Sequence, residues 1–181
     1  MDQTTLTYAQ NSAKISISGG TYKRRKQIKN AARWMLGHLL GIRQANHITL
    51  VIRLTDAYKN SNYYGSILWE DRNIKPREFD MELCNHLSDR MLYKTLAHES
   101  IHIKQYATGE LKDLARLADH CKWKDTLIKS EGKGKIPYRS LPWEIEAFEN
   151  QGKVLREWQQ AHGYKFRRAT GELYDANKDV H

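Results

Sequence analysis

The H-E-x-x-H motif at residues 98–102 constrains this chain more than any other feature of its sequence. The apolar spacing around it predicts a helix over residues 90–107. Residues four positions apart lie on one face of a helix, so His98 and His102 can bind one metal ion from the same side. Glu99 lies beside them and is placed to polarise a water molecule on that ion. This arrangement is typical of zinc hydrolases and most often of peptidases.

Length and composition predict one globular domain with a substantial core. The chain has 181 residues, of which 40% are hydrophobic and 28% are charged. Its longest largely apolar run, residues 48–52, is far shorter than the roughly 20 residues of a membrane span, and residues 1–5 do not resemble the start of a signal peptide. Cys84 and Cys121 form no C-x-x-C arrangement, which favours reduced thiols. These features predict a cytoplasmic protein without membrane contact.

Hydrophobic periodicity predicts an α+β domain in which an N-terminal helix and a three-stranded, mainly antiparallel sheet precede the motif helix. A C-terminal helix is predicted over residues 143–161. The first helix is predicted at Tyr22–Leu40, and the strands at residues 47–54, 63–70 and 78–84. Lys14–Ser18 alternates and can form a short strand within an N-terminal arm, residues 1–20. Residues 162–181 are polar and predict a loosely held tail, so the domain is predicted to span residues 21–161.

A catalytic zinc ion normally takes three protein ligands and leaves one position for water, so the motif requires a third ligand. A metzincin would have Gly at position 105 and His at position 108, where this chain has Gln105 and Thr108. His120, further along the chain, is one alternative. A glutamate from the last helix is another, and that helix offers Glu144 and Glu146.

Helix geometry separates the two glutamates. At about 100° per residue, Glu144 lies in the apolar sector of the last helix beside Leu155, whereas Glu146 lies on the polar side with Lys153. A buried carboxylate is costly unless its charge is compensated, and a metal ion compensates it directly. Glu144 is therefore the predicted third ligand, and Glu146 is the alternative if the helix begins one turn later.

Two longer motifs resemble those of a known family. They are H-E-x-x-H-x-x-Q-Y, beginning at His98, and Y-x-x-x-P-W-E-x-E-A, beginning at Tyr138. Both are similar to gluzincin metallopeptidases, in the small form called minigluzincins, and to metallopeptidases encoded by bacteriophages. The resemblance covers residues 21–160. It implies a zincin-like domain, one zinc ion and the cytoplasm of a host bacterium, whereas the second domain that walls the cleft of large gluzincins has no counterpart here.

The resemblance also implies a mechanism for hydrolysis of peptide bonds. A zinc-bound water has a pKa of about 7, and Glu99 would take its proton and later deliver it to the leaving amine. Tyr138 is predicted to stabilise the oxyanion, with His120 as the alternative. The strand at residues 63–70 is predicted to form the sheet edge that pairs with an extended peptide substrate.

The net charge of +9 suggests a second kind of function. Part of it is concentrated in the basic helix segment at residues 22–29, which is either solvated surface or a weak contact for nucleic acid. The alternative to a peptidase is thus a basic zinc-binding protein without protease activity that docks nucleic acid or an acidic protein partner.

Overall fold

The computed structural model describes residues 13–57, 59, 63–71, 73–114, 119–130, 135–168 and 170–176. These residues form four α-helices: α1 (Tyr22–Leu40), α2 (Ile42–Ala45), α3 (Asp89–Thr108) and α4 (Pro142–His162). They also form nine strands: β1 (Lys14–Ser18), β2 (Thr49–Thr55), β3 (Gly65–Trp69), β4 (Glu78–Cys84), β5 (Leu111–Asp113), β6 (His120–Trp123), β7 (Thr126–Lys129), β8 (Tyr164–Phe166) and β9 (Leu173–Asp175). The predicted α+β class is confirmed. Within the described ranges, no helix is both long and apolar enough to cross a membrane.

The central sheet has four strands in the order β1-β2-β4-β3. β1 pairs with β2 and β2 with β4 in parallel, while only β3 and β4 are antiparallel. The prediction of a three-stranded, mainly antiparallel sheet was therefore wrong. The prediction failed because it left out β1. Strands β1 and β2 can pair in parallel because α1 provides the crossover connection that parallel neighbours need. β4 then lies between β2 and β3 instead of following them in order.

Both chain ends contribute more to the domain than the predicted arm and tail would. Ile15 of β1 is buried against the core, although it lies within the predicted arm. Strands β8 and β9 pair within the predicted tail, where Leu173 is buried and its backbone N–H donates to Asp89. Residues 1–12 of the arm and residues 169 and 177–181 of the tail lie outside the described residues.

Helix α3 carries the H-E-x-x-H motif through the middle of the domain. Its N-terminus is capped by Ser88, whose hydroxyl accepts a hydrogen bond from the Met91 N–H, and it ends at Gly109 in the left-handed conformation. It packs against α1, α4, β3 and β4. The motif residues are consequently buried, and their positions are fixed from several sides.

Strand β3 passes close over α3 because its first residue is a glycine. A Cβ atom at Gly65 would lie 2.8 Å from the Thr95 side chain and 2.9 Å from the Glu82 carbonyl oxygen. β3 pairs with β4 along one side, and no described strand pairs with its other side. The prediction that residues 63–70 provide an edge strand is therefore confirmed for Gly65–Trp69.

The region between α3 and α4, which the sequence left without a defined structure, forms the antiparallel sheet β5-β6-β7. A small cluster of Leu111, Trp123, Leu141 and Trp143 joins this sheet to the start of α4. The sheet thus forms a wall beside the helix turn that carries Glu144.

Two of the five cations in the basic segment of α1 have a structural role. Arg24 donates hydrogen bonds to the carbonyl oxygens of Asn85 and Leu87 and forms an ion pair with Asp89. Arg25 donates to two carbonyl oxygens in the turn before the helix. These two cations hold loops in place, so the freely exposed charge of this segment is smaller than the sequence suggests.

Candidate metal centre

Three predicted ligands meet where the middle of α3 contacts the first turn of α4. The imidazole Nε2 atoms of His98 and His102 lie 3.1 Å apart. The Glu144 carboxylate contacts both, with Oε2 at 3.3 Å from His98 Nε2 and Oε1 at 3.3 Å from His102 Nε2. All three side chains are buried. This cluster is able to hold a metal ion.

The donor atoms have the spacing that a small metal ion requires. An ion with tetrahedral bonds of about 2.0–2.1 Å needs ligand atoms about 3.3 Å apart, close to the three distances observed. Glu144 Oε2 is buried and makes no hydrogen bond within the described part of the chain. A buried carboxylate oxygen needs a donor or a cation, so a bound ion would satisfy it.

The carboxylate of Glu144 is held in its charged form. Burial alone would raise its pKa, but contacts with His102 and His98 outweigh burial and lower the pKa to about 2. For His102, burial would lower the pKa, but the Glu144 carboxylate and the charge of Glu99 raise it above its usual range. A proton on His102 and a metal ion therefore compete for the same nitrogen, and the raised pKa of His102 strengthens the proton in that competition.

Glu99 lies beside the cluster without joining it. It is buried and lines the same cavity as the three candidate ligands. Burial is the largest influence on its pKa and raises it, which the charges of His102 and His98 partly offset. A carboxylate with a raised pKa accepts a proton more readily near neutral pH, which suits a general base.

Gln105 links His102 to the second glutamate of α4. Its amide nitrogen donates to the Trp143 carbonyl oxygen at 3.0 Å and to Glu146 Oε2 at 2.8 Å, so its amide oxygen faces His102 Nδ1 at 2.7 Å. His102 Nδ1 must then carry the proton, which leaves the Nε2 lone pair for a metal ion. Gln105 therefore sets both the tautomer and the orientation of this ligand.

Glu146, the alternative third ligand, has a different position. Besides Gln105, it contacts the ammonium groups of Lys104 at 3.6 Å and Lys124 at 3.5 Å. It is absent from the buried ligand cluster. The sequence could not show this role, because the contact between Glu146 and Gln105 joins positions on two different helices.

Tyr138 lies in the 3-10 turn Tyr138–Ser140, just before α4. It is 59% exposed but lines the cavity, and its hydroxyl contributes to the lowered pKa of Glu144. Burial of the hydroxyl and the charge of Glu144 raise the pKa of Tyr138, so the phenol remains a proton donor. His120, the alternative for the oxyanion, contacts Asp119 at 2.7 Å and is not among the residues that line this cavity.

The cavity in front of the cluster has a volume of about 690 Å³. Strand β3 forms one wall through Gly65, Ser66 and Ile67, and the side chains of Trp143 and Phe148 contribute on the side of α4. Its size suits several residues of an extended peptide, and β3 beside it is the last strand of the described sheet.

Comparisons with protein-family models, curated proteins and solved structures found no match to this chain. Its function must therefore be inferred from the residues of the site.

Proposed function

We propose that this protein is a zinc-dependent metallopeptidase of the gluzincin type, with a zincin-like domain that acts in the cytoplasm of a host bacterium. One observation carries the proposal. The donor atoms of His98, His102 and Glu144 converge in a buried cluster, and the carboxylate of Glu99 lies beside them in the same cavity. Two imidazoles and a carboxylate form a ligand set of catalytic zinc, and a purely structural site has no need of Glu99.

In this proposal the protein groups divide the work of peptide hydrolysis. A bound zinc ion would supply Lewis-acid activation of water and of the scissile carbonyl group. Glu99 takes a proton from the attacking water as the carbon–oxygen bond forms. It then gives this proton to the leaving nitrogen as the carbon–nitrogen bond breaks. The Tyr138 hydroxyl donates to the oxygen that becomes negatively charged in the transition state.

Strand β3 would hold the substrate. It lines the cavity and is the last strand of the described sheet, so the backbone of an extended peptide can add to the sheet as a further strand. Such pairing positions a scissile bond in front of the metal cluster without requiring a particular side chain. This route to binding fits unstructured protein segments better than folded ones.

The decisive experiment is the substitution Glu99→Gln. It removes the proton acceptor but none of the three ligands, so the variant should retain zinc in metal analysis and lose hydrolysis of casein. Glu149→Gln is a matched control, because Glu149 is an exposed acid on α4 that lies outside the cavity. Equal inactivity of the wild type, loaded with zinc, and of Glu99→Gln on a broad peptide library would contradict the peptidase proposal.

The alternative is a basic zinc-binding protein that docks nucleic acid or an acidic protein. It has less support, because Arg24 and Arg25 of the basic segment are engaged with loop carbonyl groups, which leaves Lys23 and Lys26 as its exposed cations. Tight, salt-sensitive binding of nucleic acid by a zinc-loaded protein that cleaves no peptide would favour this alternative.

A further inference from the structure

The cavity wall beside His98 carries two positive charges. Lys94 precedes His98 by one helical turn on α3, is half-buried and lines the cavity. Arg139 follows Tyr138 in the 3-10 turn and lines the same cavity. Its guanidinium lies over the ring of Phe148 at 6.0 Å, and that ring packs on His98 at 4.7 Å. Helix spacing places Lys94 on the His98 side of the site, and the contacts of the Phe148 ring place Arg139 there.

Neither cation has an acidic partner among the described residues. The acids that line the described cavity are Glu99 and Glu144, and both belong to the metal centre. Four other half-buried lysines form ion pairs; Lys104, for example, contacts Glu110 at 2.7 Å, and Lys112 contacts Asp125 at 3.8 Å. Lys29 on α1 resembles Lys94, because it is half-buried and has no ion pair with a described residue. Partly burying an unpaired ammonium group is costly, and Lys94 bears this cost in the wall of the cavity, where a bound anion would offset it.

We propose that Lys94 and Arg139 form a subsite for a carboxylate group of the peptide substrate. This inference rests on the proposed peptidase function and names the class of peptide that the site prefers. A carboxylate between an ammonium and a guanidinium group receives charge-assisted hydrogen bonds, which are roughly twice as strong as hydrogen bonds between neutral groups. The guanidinium of Arg139 lies 6.0 Å from the centre of the Phe148 ring, and this contact favours its position beside the cavity before the carboxylate arrives.

The carboxylate can come from an acidic side chain near the scissile bond or from the C-terminus of the peptide. The chemistry of recognition is the same in both cases. The first source predicts cleavage inside chains next to Asp or Glu, and the second predicts removal of short C-terminal fragments. A set of matched peptides separates the two sources.

Binding is measured with zinc-loaded Glu99→Gln protein, so that turnover does not interfere. Three fluorescent decapeptide pools are compared by anisotropy: one with a Glu residue and an amidated C-terminus, one with Gln and an amidated C-terminus, and one with Gln and a free C-terminus. We expect about tenfold tighter binding of one of the two carboxylate pools than of the neutral pool. The difference should shrink as salt is raised, because the subsite is open to solvent.

Substitutions connect the preference to the two residues. Lys94→Gln and Arg139→Gln should each reduce the tenfold preference to about threefold or less, whereas Lys153→Gln, which removes an exposed cation of α4 outside the cavity, should leave it unchanged. The charge reversal Lys94→Glu should shift the preference toward pools that carry Lys in place of Glu. Circular dichroism of each variant verifies that it is folded.

Equal binding of all three pools, or an unchanged preference in both neutral variants, would overturn the carboxylate subsite. Wild-type cleavage of peptides without any preference for carboxylates would also overturn it while supporting the peptidase function. Conversely, a carboxylate preference in binding, lost in the Lys94 and Arg139 variants, would support the subsite even where the wild type cleaves nothing. The failure of one proposal is thereby distinguished from the failure of the other.

Discussion

Replacement of Gln105 by leucine should weaken zinc binding although Gln105 is not a ligand. Leucine has a similar size but removes the oxygen that accepts the proton of His102 Nδ1 at 2.7 Å. Gln105 is fully buried, so water cannot readily replace that oxygen. An unsatisfied buried donor costs about 1–3 kcal/mol, which corresponds to about a 5- to 150-fold change in an equilibrium constant. Loss of an outer hydrogen bond to a metal ligand typically costs 10–100-fold in affinity, and we expect a loss in that range.

The same substitution also removes the donor to the Trp143 carbonyl and to Glu146, so the metal-free protein should be less stable. Zinc affinity must therefore be measured by competition with a chromophoric chelator at a temperature at which circular dichroism shows every variant to be folded. Thr108→Val is the matched control. It removes a hydroxyl that donates to helix carbonyl groups one turn away but leaves the contact with His102 intact.

A second substitution at the same position separates metal affinity from stability. Gln105→Glu retains an acceptor for His102 Nδ1 but places a carboxylate against Glu146, so stability should fall while zinc affinity is preserved or increased. Zinc binding of Gln105→Leu within twofold of the wild type would refute the reasoning. In that case Gln105 would fill space between α3 and α4 without orienting the ligand.

Three further predictions concern the metal cluster and its proton donor. Glu144→Ala should abolish stoichiometric zinc binding in metal analysis, whereas Glu146→Ala should retain the metal with about 10–100-fold weaker affinity. Zinc retention by Glu144→Ala would show that Glu144 is not a ligand. Apparent zinc affinity should fall about tenfold for each pH unit below the raised pKa of His102 and become constant above that pKa, because a proton on His102 competes with the metal. Glu144, with its pKa of about 2, stays ionised over this range. A titration of zinc affinity from pH 5 to 8 that shows no such slope would contradict competition between zinc and a proton on His102. Tyr138→Phe should lower kcat for peptide hydrolysis about 100-fold with little change in KM, and an unchanged kcat would exclude the hydroxyl from the transition state.

The three long helices of this protein could be predicted from local signals because those signals are complete within a few residues, whereas the short helix α2 was not predicted. Thr21 caps α1 by accepting the Arg24 N–H, and the apolar spacing continues to Leu40, where the structure also ends the helix. The predicted ligand Glu144 followed from the same kind of information, since the face of a helix depends on spacing alone. The structure indeed buries Glu144 and leaves Glu146 half-exposed.

The sheet order could not be obtained from strand patterns alone. Residues 49–55 and 78–84 alternate or are apolar in a way that indicates strands, but nothing in that pattern identifies their neighbours. One available signal was the succession of Lys14–Ser18, α1 and Thr49–Thr55, because strand, helix and strand in this order is typical of a parallel pair. The assignment of Lys14–Ser18 to an arm concealed that signal, and the antiparallel prediction followed.

The two candidate histidine ligands are held by different means, which divides the candidate metal centre into two sides. His102 is fixed by Gln105, and through it by Glu146 and the lysines that pair with Glu146, so this side is braced by the protein itself. His98 Nδ1 is buried without a hydrogen bond among the described residues, and the ring is positioned by packing against Phe148. The Phe148 ring also lies 6.0 Å from the guanidinium of Arg139. A substrate carboxylate bound by Arg139 would therefore lie beside the Phe148 ring that positions His98. In the proposed peptidase, recognition of that carboxylate would be coupled to His98 and not to His102, which Gln105 holds by a hydrogen bond.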